Sequence, residues 1–113
     1  MFSVKKQIGT LSKSRLRLIC IGGNPNTAVM CDQMRNIFSG WDIENSTISQ
    51  MGSAGFVHVD GSYITGPDSG DKLLVTIFSI FEGAGAKIPL VPNAFMGRPF
   101  NCPAVVIVIS QPN

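Results

Sequence analysis

Residues 15–27 read RLRLICIGGNPNT, and this stretch decides the fold. Leu16, Leu18 and Cys20 alternate with Arg17, Ile19 and Ile21. A segment that starts amphipathic and ends wholly apolar has the pattern of a central strand. Gly22-Gly23-Asn24-Pro25-Asn26 breaks that pattern. Beyond it the apolar period changes from two to nearly four. Met30, Met34, Ile37, Phe38 and Trp41 recur along one helical face. The spacing predicts a helix from about Thr27 to Ser39, capped by Asn26 or Thr27 and stopped by Gly40. A strand, a glycine-containing turn and a helix thus open an α/β domain.

The pattern extends downstream. Trp41, Ile43 and Ile48, with polar residues between them, predict an edge strand over 41–51. Phe56-Val57-His58-Val59 reads as a short strand. Residues 62–70 read as a loop. Asp68, Ser69 or Asp71 can cap a second helix, which ends near Glu82 and is closed by Gly83 and Gly85. Leu74, Ile77, Phe78 and Phe81 form its buried face. Lys87–Val91 predicts a strand. Residues 92–103, with three prolines, predict irregular chain, and Ala104–Ile109 a buried strand. Upstream, Val4, Ile8 and Leu11 make one stripe of a short N-terminal helix. The expected class is α/β (α+β): a β-α-β-β-α-β ferredoxin-like two-layer sandwich with an additional C-terminal strand and that short helix. A small three-layer α/β fold is the alternative. Residues 1–14 form a basic lead-in, and residues 15–113 one α/β domain.

Composition narrows the function. Charged residues make up 14% of the 113, well below the usual quarter or so. With so few charges, some surface is expected to meet a partner, a ligand or another copy. The net charge of +2 is too weak for a nucleic-acid footprint. Five of the nine Lys and Arg residues nevertheless fall at Lys5, Lys6, Lys13, Arg15 and Arg17, a basic N-terminal arm suited to anionic head groups. Cys20, Cys31 and Cys102 form no CxxC pair; Cys20 and Cys31, inside apolar segments, read as core thiols, and a reducing compartment fits best.

Four places invite chemistry. Gly22, Gly23, Asn24, Asn26 and Thr27 sit where backbone amides and a helix N-terminus can hold an anion, although neither dinucleotide nor P-loop spacing is present. His58 is the only histidine. Cys102 and Asp60 are conceivable partners for it, but no local catalytic signature joins them. Asp60, Asp68 and Asp71 do not match a calcium loop, and the last two suit a helix start. Phe95, Met96, Arg98 and Phe100, in the proline-rich loop, are residue types enriched at interfaces. No catalytic set, metal site or cofactor is implied.

A family likeness rests on the lead-in helix before RLICIGG, Gly40-Trp41, the strand GFVHVDG, the segment FEGAGAKIPLV, and VVIVIS followed by Gln111-Pro112. In these elements the chain resembles the soluble C-terminal domains of small bacterial membrane proteins with two transmembrane helices. That resemblance implies a cytoplasmic portion of a longer protein, tethered to the inner face of a membrane with its basic arm beside the lipid. It supplies no catalytic residue. The long proline-rich loop departs from the family pattern. The expected function is a non-enzymatic binding or self-association module, whose partner is another copy or another protein. The alternative is a sensor for a small anionic ligand, a nucleotide or phosphate.

Overall fold

The computed structural model describes residues 2–21, 25–48, 62–68, 70–86, 88–91 and 103–110. Its elements run α1 (Phe2–Ile8), β1 (Arg15–Ile21), α2 (Pro25–Ile37), β2 (Asp42–Ile48), β3 (Tyr63–Thr65), α3 (Lys72–Gly83) and β4 (Val106–Ile109). The fold is mixed α/β, with a four-stranded sheet in the order β2-β1-β4-β3. β1 is parallel to both β2 and β4, and β3 is antiparallel to β4.

This order corrects the ferredoxin-like expectation. The succession β-α-β-β-α-β is present, but its placement differs. A split βαβ unit keeps its two parallel strands apart, with another strand between them. Here Leu16 pairs with Ile43 and Leu18 with Asn45, so β1 and β2 lie side by side. One face carries Leu16, Leu18, Ile64, Ile107 and Ile109, which share a core with Val4 and Ile8 of α1, Cys31, Met34 and Ile37 of α2, and Leu74, Ile77 and Phe81 of α3. On the other face Ile19, Tyr63, Thr65, Val106 and Val108 are buried as well. All four β4 side chains are shielded, as the run VIVI requires.

Local chemistry fixes the helices. α2 starts at Pro25, whose missing amide suits a first helical position. Asn26 and Thr27, expected as caps, therefore lie inside the first turn. Gly40 ends the α2 segment at φ 89°. Trp41 packs edge-on against Phe38 at 5.0 Å, and Phe38 lies 6.4 Å from Phe81, which joins the end of α2 to α3. Asp71 caps α3: its Oδ1 accepts the Leu73 and Leu74 amides at 3.0 and 3.2 Å. The lead-in is a docked helix, with Val4 and Ile8 fully buried and Lys5 and Lys6 exposed.

Two other boundaries shift. Tyr63–Thr65, expected in a loop, is a strand. These aromatic and β-branched residues sit beside β4, where burial outweighs the flanking glycine and proline. The expected strand at 87–91 narrows, among its described residues, to a parallel bridge of Leu90 with Ile64. The Ile64 amide donates to Pro89 O and the Val91 amide to Ile64 O, each at 2.9 Å. The predicted strand at 56–59 lies outside the described residues.

Gly66 follows β3 where the backbone passes close to the start of the last strand. A Cβ at Gly66 would lie 2.2 Å from the Ala104 carbonyl oxygen. Backbone cannot yield as a flexible side chain does. Gly66→Ala is expected to destabilise the domain by about 1–3 kcal/mol. Gly83→Ala, with open space around its Cβ, is expected to be neutral or slightly stabilising. Urea titration of both variants checks the contrast.

Candidate functional site

The parallel strands β2, β1 and β4 end at one edge of the sheet, and α2 begins there. In parallel sheets this edge is where loops and helix N-termini converge on ligands. α2 then runs back over β1 and β4. Of the residues expected at this turn, Gly22, Gly23 and Asn24 lie outside the described residues. Asn26 is exposed. Thr27 is 2% exposed, and its hydroxyl has no hydrogen-bond partner among the described residues. Thr27 heads the buried stripe of α2 that continues through Cys31, Met34 and Ile37.

Cys31 lies one turn below Thr27 and is joined to Cys20 near the end of β1. This corrects the reading of Cys20 and Cys31 as two separate thiols. α2 folds back on β1 and brings the two Cα atoms within 6.4 Å, inside the range a bridge can span. Disulfides persist where the surroundings are oxidising. The bridge ties the start of α2 to the strand before it. Closing so short a loop restricts the unfolded chain and contributes about 3 kcal/mol.

At the same edge Ser62 and Ser110 clasp β3 to β4. The Ser110 amide donates to Ser62 Oγ, and Ser62 Oγ donates back to Ser110 O, both at 3.1 Å. Tyr63 follows Ser62 and is fully buried. Loss of hydration pushes its hydroxyl from 10.0 up to about 12. On the sheet face shared with Tyr63, but toward the opposite edge, Glu44 of β2 receives Arg15 at 2.7 Å and Arg17 at 3.0 Å. Hydrogen bonds from Arg17 first, and then Arg15, hold the Glu44 carboxyl below its ordinary value. Arg15 and Arg17, counted in the basic N-terminal arm, are thus engaged in the sheet.

His58, Asp60, Cys102, Phe95, Met96, Arg98 and Phe100 lie outside the described residues. Asp68 accepts the Gly70 amide at 3.0 Å, and Asp71 is the α3 cap. No three His, Cys, Asp or Glu side chains among the described residues gather as metal ligands. No described helix is long and apolar enough to cross a membrane. A groove of about 440 Å³ at the end of α3 is lined by Phe78, Glu82, Gly85, Ala86, Ile88 and Pro89. The sequence pattern did not mark it, because Phe78 read as part of the α3 core face, Gly85 as a helix stop, and Ile88 and Pro89 as strand. No family model, curated protein or solved structure matches the chain.

Two measurements follow from this geometry. With the bridge closed, the denatured, unreduced chain is expected to take one alkylating label among its three cysteines; three labels by mass spectrometry would show that it is absent. Tyr63 is the only tyrosine, so tyrosinate absorbance reports it alone. The native chain is expected to titrate near 12. The unfolded chain releases that proton near 10 while the folded chain holds it, so stability falls as pH rises between these values and is unaffected below them. Native titration near 10 would show that Tyr63 is hydrated.

Proposed function

We propose that this domain is a non-enzymatic binding or self-association module that recruits a second copy through β2. The observation that carries the proposal is the register of the sheet. β2 is an outer strand, and β1 is its only partner among the described residues. A strand with one unpaired side offers a row of backbone donors and acceptors to another chain.

The sequence DIENSTI suits antiparallel self-pairing. A two-fold axis at Asn45 sets Asp42 opposite Ile48, Ile43 opposite Thr47 and Glu44 opposite Ser46. No charge then faces its like. Centring on Ile43 instead would oppose Asp42 and Glu44, and centring on Glu44 would oppose that residue to itself. Asn45 is exposed, and its side-chain oxygen accepts Arg35 Nη1 at 3.2 Å. Its amide hydrogens suit the partner's Asn45. Such an isologous contact closes as a dimer rather than a fibre. Lys5 and Lys6, on the exposed side of α1, support placing the domain beside an anionic membrane surface.

The expected outcome in light scattering is a concentration-dependent dimer. Asn45→Lys and Asn45→Asp should each weaken it roughly fivefold or more by placing like charges opposite one another. An equimolar mixture of the two variants should restore association. A strict monomer at high concentration, or a dimer indifferent to both substitutions, would overturn the β2 interface.

A further inference from the structure

We infer that the start of α2 is a phosphate-group site in which the Thr27 hydroxyl is a direct ligand. Thr27 is nearly solvent-free, and its hydroxyl is unpartnered among the described residues. A buried hydroxyl without a bond carries its full desolvation penalty. Valine has almost the same shape and would fill this place on the apolar stripe above Cys31 without that penalty. An unfilled hydroxyl here therefore points to a group that completes it.

Position identifies the chemistry of that group. Thr27 is the third residue of a thirteen-residue helix. Helical Cα–Cβ bonds tilt toward the N-terminus, so the Thr27 side chain leans back over the first turn, the end of α2 that lies where β1 and β4 end. First-turn amides have no acceptor within their own helix, and the helix dipole places partial positive charge at this end. The first turn of α2 contains no acidic residue. Asp32, farther along α2, is engaged by Arg35. A hydroxyl donor and a positive dipole end, in a turn without acidic residues, together favour a tetrahedral oxyanion over a cation or a neutral apolar ligand. The Cys20–Cys31 bridge holds these groups against β1. The site does not use the β2 edge, so it can fail or succeed independently of dimer formation.

Thermal unfolding of the full chain, in inorganic phosphate and separately in a nucleoside monophosphate at matched ionic strength, tests the site. Binding to the native state must raise the melting temperature. A rise in both identifies free phosphate as sufficient, and a rise in the ester alone identifies a phosphate ester; either supports the site. Thr27→Val should melt higher than the parent without ligand and lose the phosphate-dependent rise. Thr27→Ser should keep that rise. The inference is overturned by no rise at about 10 mM of either ligand, by a rise that survives in Thr27→Val, or by a ligand-free Thr27→Val that melts lower than the parent.

Discussion

The pairing of β1 with β4 is the constraint on which the rest of the domain depends. Arg17 to Cys20 align with Val106 to Ile109, so two segments from nearly opposite ends of the described chain form the centre of the sheet. β4 is buried on both faces and can be accommodated only if other structure covers each side. β1 supplies the next row. Its Leu16 and Leu18 receive the helices, while Ile19 belongs to the second buried face. β2 and β3 then occupy the flanks, and the disulfide and the serine clasp secure the edge where β1 and β4 end.

Much of this was legible from periodicity. The alternation in RLRLICI marked β1 over the Arg15–Ile21 that the strand occupies, and VIVI could only be interior. The stripe Leu74, Ile77 and Phe81 gave α3 its buried face, and Asp71 proved to be one of the three caps its spacing allowed. The failures have a common physical origin. Strand order and sheet coverage are tertiary properties, and a β-α-β-β-α-β succession does not say whether two parallel strands touch. Tyr63–Thr65 was hidden because three residues between turn formers read as loop. Only their place beside β4 makes them a strand.

The candidate site was less legible, and unevenly so. Glycine, asparagine and threonine after a strand marked the start of α2 for a general reason, the free amides of a helix end. The feature that sharpens the site, an unpartnered hydroxyl on an otherwise apolar stripe, is invisible without burial. The same holds for the disulfide. Cys20 and Cys31 have no signature spacing, and their proximity exists only because α2 turns back over β1. Glu44 likewise gives no sequence sign of its two arginine partners, because they converge across parallel strands. The proline-rich loop and His58 fall outside the described residues, so the interface reading of that loop rests on its composition.

The central place of β4 also bears on how the chain is made. A ribosome delivers β1 well before β4, and closing so long a loop precedes any reward from their contact. During translation β1 can meet α1, α2 and β2, but its other side stays open until the residues after 103 have left the exit tunnel. For that interval the most apolar strand of the first half has an unsatisfied edge next to water and to neighbouring nascent chains. This domain therefore completes its core only once β4 has emerged, and its early half is the natural client of whatever shields exposed strands in the cell.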